Sequence, residues 1–269
     1  MKIRVVAHNV LRGWPMNISL YQAASALEGN LQRQHAIAEN LASSSVPGFK
    51  RHNITFNAVD ASMFDESLKA AGQTQVHWML PRFIVSTDFQ QGTLMPTGDN
   101  TNVALDGPGF FSVTGKDGET LYTRDGSFRT NDLGQLMAKD GNLLQGVGGG
   151  PITVDTNSKH PVTIAKDGTV SQGGPSLGRL NVVSFAKEDM AKLQRINAGY
   201  FTSGGLTPLP ADETETTVAM GFLEGANTSP SHEMGQLMTT LRHFEANQKI
   251  MKMQDQHMGR LIRQLTDTK

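Results

Sequence analysis

The sequence predicts a mainly β protein with long terminal α-helices, in which an antiparallel β domain is inserted between N- and C-terminal helices that pair as a coiled coil. Near each end of the chain, apolar residues recur at alternating spacings of four and three, which is the pattern of a helix with one narrow apolar stripe. Between these ends the period changes to two, and Asp-Gly pairs separate short apolar runs. A stripe-bearing helix needs a partner that covers the stripe.

The N-terminal helix is predicted from Ser19 to Ala42. Ser19 and Gln22 match a capping box, which would satisfy N–H groups of the first turn. Ser43–Ser45 and Pro47-Gly48 end the helix, because serine side chains compete for the backbone and proline forbids continuation. Its stripe includes Leu27, Leu31 and Leu41. Residues 1–15 are interpreted as a tail, with Met16 as an alternative start.

Residues 49 to about 100 show no sustained period and are interpreted as an extended connector, with candidate strands at Asn53–Val59 and Phe83–Thr87. From Asn102 to about Leu206 apolar residues alternate, and Gly115–Gly118 separates two runs as a hairpin turn would. The sequence therefore predicts short antiparallel strands, with a last strand at Thr217–Leu223. Further strands are predicted at Ile152–Val154, Val162–Ala165 and Leu180–Phe185.

The C-terminal helix is predicted to begin at Ser229-Pro230, with the serine as N-cap and the proline where no N–H is needed, and to extend to Leu265. Small residues in the N-terminal helix favour close approach of this second helix, although separate docking of each helix on the β domain is an alternative. The expected domains are 1–15, 16–60, 61–100, 101–216 and 217–269. The C-terminal stripe contains Leu237, Leu241, Phe244, Met251, Met258 and Ile262.

The composition argues against several classes of function. Lys and Arg number 24 against 25 Asp and Glu, so the basic excess of a nucleic-acid-binding protein is missing. There is no cysteine, which excludes disulfides and thiolate metal sites. The sequence contains no apolar run of the roughly 20 residues that a membrane span needs. The opening residues do not form a signal peptide, because the apolar part is short and interrupted.

The motifs of catalysis are incomplete, so we predict no catalytic residue, cofactor or metal. Gly174–Gly178 matches G-x-S-x-G, but a strand rather than the required helix is predicted after Ser176, and a β-turn is the expected structure. His232-Glu233 begins a zinc motif that lacks its second histidine. Two alternatives stay open: a β-rich serine hydrolase with a helical dimerisation stalk, and a secreted binding module.

Several further segments stand out along the chain: Ile37–Ala42 with Val46–Arg51 (a "TPGFKR"-like stretch), Val103–Phe111, Tyr122–Phe128, Gly221–Asn227, and Phe244–Lys249. These segments resemble motifs of bacterial flagellar basal-body rod and hook proteins. They follow one another in the family's order between residues 19 and about 262. The single central β region and the length favour a rod protein over a hook protein. The short connector and the stretches Gly149–Ile152, Thr163–Gly168 and Gly178–Leu180 are most similar to the proximal rod type, with the distal rod or hook type as alternatives.

The resemblance implies a structural axial subunit that transmits torque and has no enzymatic activity. The implied partners are other rod subunits, copies of itself and the flagellar export apparatus, without nucleic acid, small-molecule substrate or direct membrane insertion. The implied location is the periplasmic rod of the basal body, reached by type III export without a cleaved signal peptide. The family motifs single out Asn40, Pro47, Gly48, Phe49, Glu245 and Asn247.

The two apolar stripes are expected to form the assembly interface. An isolated pair of helices would leave much of both stripes exposed, whereas neighbouring subunits could cover them. We therefore expect Leu27, Leu31, Leu41, Leu237, Leu241, Phe244, Met251, Met258 and Ile262 to contact other subunits.

Overall fold

The computed structural model describes residues 14–60, 79–197 and 199–266, and the chain divides into two compact units. The first unit comprises the described parts of residues 1–39, 52–86 and 231–269. The second comprises residues 40–51 and the described part of 87–230. The predicted tail lies almost entirely outside the described residues, and so does much of the predicted connector.

The first unit contains the two long helices and a β-ribbon. Helix α1 spans Trp14–Ala42 and helix α3 spans Pro230–Thr266, and the two are in contact. Strands β1 (His52–Asp60) and β2 (Met79–Thr87) pair as a two-stranded sheet. The predicted contact between terminal helices and the two candidate strands are thus confirmed.

The second unit is built from short strands and one short helix, α2 (Lys187–Met190). The strands are β3 Leu94–Pro96, β4 Val103–Asp106, β5 Phe110–Thr114, β6 Thr120–Thr123, β7 Phe128–Thr130, β8 Leu136–Ala138, β9 Leu143–Leu144, β10 Val162–Ile164, β11 Thr169–Gln172, β12 Ser176–Arg179, β13 Val182–Ser184, β14 Gln194–Arg195, β15 Tyr200–Thr202, β16 Leu209–Pro210, β17 Thr217–Met220 and β18 Phe222–Glu224.

The strands of the second unit pair in antiparallel orientation. The largest sheet has nine strands, with the path β14-β15-β6-β5-β9-β8-β7, while β13 pairs with both β5 and β16. Three smaller sheets join β10-β11-β12, β17-β4 and β18-β3. The predicted antiparallel β region is confirmed, and its alternating apolar residues supply the core.

Two apolar clusters fill the second unit. The larger contains Phe111, whose ring meets Phe128 edge-on at 5.2 Å, together with fully buried valines and leucines of β4, β5, β9 and β11. The smaller is aromatic: Phe110 packs against Phe201 and Phe185 at 5.7 and 6.0 Å between ring centroids. With these buried aromatic and branched side chains, the second unit has a hydrophobic core of its own.

Some boundaries differ from the predictions for physical reasons. Helix α1 begins at Trp14, so Ser19 lies inside the helix and does not cap it. The predicted strand Thr217–Leu223 is divided into β17 and β18 at Gly221, whose positive φ of 79° interrupts the ladder. Ile152–Val154 is not a regular strand: Thr153 makes an isolated bridge with Gln135, and the preceding Pro151 makes one with Gln145. The C-terminal helix begins at Pro230 as predicted.

Candidate assembly surface and the buried junction of the signature segments

One side of helix α3 is covered and follows a regular heptad. Leu237, Phe244, Met251 and Met258 are spaced seven apart and are half-buried. The row beside them is polar: Thr240 is buried, and Asn247 and Gln254 are half-buried. The Thr240 hydroxyl donates to the carbonyl oxygen of Gln236 at 2.8 Å, so its polar atom is satisfied within the helix.

The other flank of α3 is exposed and carries several large apolar side chains. Leu241 is 44% exposed, Met238 63% and Ile262 59%, and Met234 lies on the same flank. Gln248 and Asp255, which interrupt the predicted stripe, are exposed as well. The structure therefore covers only one of the two rows that form the predicted stripe. We call Met234, Met238, Leu241 and Ile262 the exposed row.

Helix α1 shows the same division. Its buried side includes Gly29, Ala36 and Ile37, of which the first two are seven residues apart and small enough for close helix approach. Leu31 of the predicted stripe is 48% exposed, whereas Leu27 and Leu41 are half-buried. Of the family-motif residues on the two helices, Asn40 is buried, Asn247 is half-buried and Glu245 is exposed.

The signature segment after α1, residues 46–51, lies in the second unit, and its central residues 48–50 are buried. Gly48 has φ +68°, and a Cβ atom there would lie 2.3 Å from the carbonyl carbon of Arg124, so this position requires glycine. Phe49 is fully buried, and Pro47 is half-buried. The guanidinium of Arg195 lies over the Phe49 ring at 4.9 Å and over Phe201 at 5.1 Å.

A buried ion cluster joins three of the sequence motifs. Lys50 Nζ lies 2.5 Å from Glu224 Oε1, and Arg124 Nη1 lies 3.2 Å from Glu224 Oε2. Lys50 is 1% exposed and Glu224 is completely buried. Further bonds complete the shell: Gly92 N donates to Glu224 at 2.8 Å, Lys50 Nζ donates to the Gln90 carbonyl at 2.7 Å, and Arg124 Nη2 donates to the Gly107 carbonyl at 2.6 Å.

The charges of this cluster do not balance, because two cations share one carboxylate. Burial lowers the pKa of Lys50 from its ordinary 10.5, even though the neighbouring Glu224 carboxylate opposes that shift. Burial likewise lowers the pKa of Arg124. Glu224 is therefore the indispensable member: without it, two buried cations would face each other.

A second set of contacts runs parallel to the ion cluster. Asn227 Oδ1 accepts from the backbone N–H of Arg51 at 2.7 Å, and Asn227 Nδ2 donates to the carbonyls of Asp88 and Gln90 at 2.7 and 3.1 Å. The side chain of Arg51 pairs with Asp88 at 3.1 Å. We call Gly48–Arg51, Arg124, Glu224 and Asn227, with Arg195, the signature junction.

Sequence reasoning singled out Gly48 and Phe49 but missed Lys50, Arg124, Arg195, Glu224 and Asn227 as a group. Four of these five lie within the motifs that carry the family resemblance, so the motifs contained the signal. What linked them was absent from the sequence, since Lys50 and Glu224 are 174 positions apart.

The structure does not assemble a catalytic site around the motifs that resemble one. Ser176 begins the exposed strand β12, which pairs with β11, so it does not form a nucleophile elbow; the turn between the two strands lies just before it, at residues 173–175. Within residues 14–60, 79–197 and 199–266, no three His, Asp or Glu residues are grouped to hold a metal ion. In the same ranges, no helix combines the length and apolar character required to cross a bilayer.

Two long terminal helices with exposed apolar side chains, joined to a β unit with its own core, are the features of a structural subunit that assembles. Residues 104–172 match the family model described as flagellar hook protein FlgE/F/G D1 domain, and residues 219–264 match that of the flagellar basal body rod FlgEFG protein C-terminal region. The chain belongs to the flagellar basal-body rod protein family. The resemblance predicted from the motifs is confirmed, and the serine hydrolase alternative is wrong.

Relatives align over nearly the whole chain. Flagellar basal-body rod protein FlgF of Salmonella typhimurium is 32% identical over 258 residues, covering 91% of this chain and 97% of the relative. FlgF of Caulobacter vibrioides is 31% identical over 239 residues, covering 88% and 93%. FlgG of Bacillus subtilis is 27% identical over 266 residues, covering 91% and 97%. The chain is therefore an axial structural subunit of the basal-body rod that assembles with other rod subunits.

Proposed function

We propose that this subunit assembles into the rod through the exposed row of α3 and through the exposed Leu31 of α1. The observation that carries the proposal is that α3 buries Thr240 and half-buries Asn247 beside its half-buried apolar row, yet leaves Met238 and Leu241 exposed. A helix that served only its own chain would bury its large apolar side chains in preference to these polar ones. The exposed row is therefore assigned to contacts with other subunits.

The half-buried row has a second role in the same proposal. Leu237, Phe244, Met251 and Met258 keep part of their surface accessible, so a neighbouring helix can complete their burial. Each Å² of apolar surface removed from water contributes about 25 cal/mol, and several subunits can add such contacts. Methionine side chains adapt to neighbours of differing shape, which suits a subunit that meets different partners.

The finer assignment of this chain rests on its relatives and its motifs. We propose the proximal rod type, because the two FlgF relatives above are more similar to this chain than the FlgG relative is. Its neighbours are further copies of the chain and other rod subunits. Delivery to the periplasmic rod by the flagellar export apparatus, without a cleaved signal peptide, and transmission of torque are parts of the same proposal.

The test replaces Leu241 by Asp in the cell that makes this protein. Because Leu241 is exposed, the substitution should change the free energy of unfolding of the purified monomer by no more than about 0.5 kcal/mol. We expect the variant to be missing from purified basal bodies and the cells to lose motility.

The matched control is Thr239→Asp, an exposed position on the opposite side of the same helix. It introduces the same charge two residues away and should leave rod incorporation intact. Normal motility of the Leu241→Asp strain, with the variant present in basal bodies at its usual amount, would contradict the proposal.

A further inference from the structure

We propose that the signature junction is a mechanical clamp, through which force applied to α1 and α3 passes directly from one chain segment to the other. The strands of the β core would then be bypassed. The geometry of the clamp is independent of rod assembly, and only its use in carrying torque rests on the proposed function.

The first step is the path of the chain. Helix α1 leads directly into the incoming segment, residues 43–51, and the outgoing segment, residues 221–229, leads directly into α3. Tension that the contact between the two helices does not carry therefore reaches the second unit along the chain, through these two segments. Both segments belong to that unit.

The second step is that the two segments are bonded to each other. The N–H of Gly48 donates to the Glu224 carbonyl at 2.7 Å, and the N–H of Asn227 donates to the Phe49 carbonyl at 3.2 Å. The side chain of Asn227 accepts from the Arg51 N–H, and Lys50 pairs with Glu224. Each of the four consecutive residues Gly48–Arg51 of the incoming segment is thus bonded directly to the outgoing segment.

The third step concerns the anchors on either side. Arg124, at the end of β6, bonds Glu224 and the carbonyls of Leu105 and Gly107, so it fixes the outgoing segment to the sheet. Arg195 of β14 donates to the Lys50 carbonyl and lies over the Phe49 ring, so it fixes the incoming segment. Arg124 thus makes three hydrogen bonds, whereas Arg195 combines its hydrogen bond with contacts over the rings of Phe49 and Phe201.

Burial explains why charged groups serve here. An ion pair excluded from water is stronger than one at the surface, but it costs desolvation, so it is a poor way to gain stability alone. Such a pair does resist separation, because pulling it apart exposes unpaired charges inside the protein. A junction that must resist tension benefits from this property more than a core that must only be stable.

The decisive variant is Lys50→Met in the full-length chain. It removes the cation in excess, keeps the aliphatic stem and leaves the Arg124–Glu224 pair and the Gly92 bond intact, so the second unit should fold with little change in thermal stability. The measurement is constant-force extension of single molecules held by handles at the two chain ends.

We expect release of residues 40–86 as one extension step of about 16 nm, from the length of an extended chain. Losing a charge-assisted bond should shorten the lifetime before this step about tenfold to a hundredfold in Lys50→Met. Asn227→Leu, which removes the parallel tie, is the second variant and should shorten the same lifetime.

Two controls separate a clamp from a general loss of stability. Val170→Ala weakens the core in β11 and should lower thermal stability without changing the lifetime before release. Arg179→Leu removes an exposed ion pair with Glu213 and should change neither. Equal lifetimes in the wild type, Lys50→Met and Asn227→Leu would overturn the clamp, and so would an equal shortening by Val170→Ala. Neither result depends on whether Leu241 mediates assembly.

Discussion

The β unit and the terminal helices both carry regular apolar patterns, but they use them in opposite ways. In β4 and β5 the alternating residues Val103, Leu105, Phe111 and Val113 are all fully buried. In α3 the covered face contains threonine and asparagine, while Met238 and Leu241 are exposed. The β unit therefore buries its apolar pattern within one chain, whereas the helices leave apolar side chains exposed that other subunits can cover.

The same contrast holds for buried polar groups. The β unit contains a cluster in which Lys50, Arg124 and Glu224 satisfy one another at close range. In the helix pair, the hydroxyl of the buried Thr240 donates to the Gln236 carbonyl of its own helix. The ion cluster therefore ties distant segments together, whereas the Thr240 bond stays within one helix.

The largest effect is expected from one substitution made in both regions. Phe111→Ala opens a cavity in a closed core and should lower the free energy of unfolding by about 3–5 kcal/mol. Phe244→Ala removes a ring that is only half-buried in the monomer and should cost about 1 kcal/mol. Denaturant unfolding of the purified monomers, followed by signals from each unit, checks the difference. Equal losses in the free energy of unfolding for the two variants would contradict this difference between the two regions.

A smaller effect is expected from Thr→Val at one buried site in each region. Thr123 Oγ1 donates to the Gly199 carbonyl at 2.7 Å and accepts from the Asp125 N–H at 3.0 Å, so Thr123→Val should cost about 1–3 kcal/mol. Thr240→Val loses only a bond to its own helix and gains apolar contact, so we expect a gain of up to about 0.5 kcal/mol.

Thermal unfolding of both Thr→Val variants beside the wild type checks the signs. A loss of stability in Thr123→Val together with a gain in Thr240→Val would support the difference between the two regions. A clear loss of stability in Thr240→Val would show that the polar row of α3 is already a required part of the monomer.

The fold class could be predicted from the sequence because the patterns that indicate helices and strands are local. Periodicity identified the helices, alternation identified the strands of β4 and β5, and Ser229-Pro230 marked the start of α3 to the residue. The start of α1 was misplaced because an internal Ser19 with Gln22 looks the same as a cap. Gly221, which divides the last strand, acts through a backbone angle that the alternation does not reveal.

The site was only partly predictable, for two physical reasons. A four-three spacing fits either of two neighbouring rows on a helix, and which row is covered depends on the partner; hence Leu237 and Phe244 are half-buried while Leu241 is exposed. The signature junction joins residues such as Lys50 and Glu224 that are distant in the chain. Local pattern identifies such residues as parts of motifs, but only the fold brings them together.

Amide hydrogen exchange tests most directly whether other subunits cover the exposed apolar surface of the terminal helices. The measurement compares monomer, kept monomeric as shown by light scattering, with purified basal bodies. We predict strong protection of β4–β6 in both samples, and protection of residues 24–41 and 234–264 that is weak in the monomer and strong in the rod. Helix amides as strongly protected in the monomer as those of β5 would contradict the account.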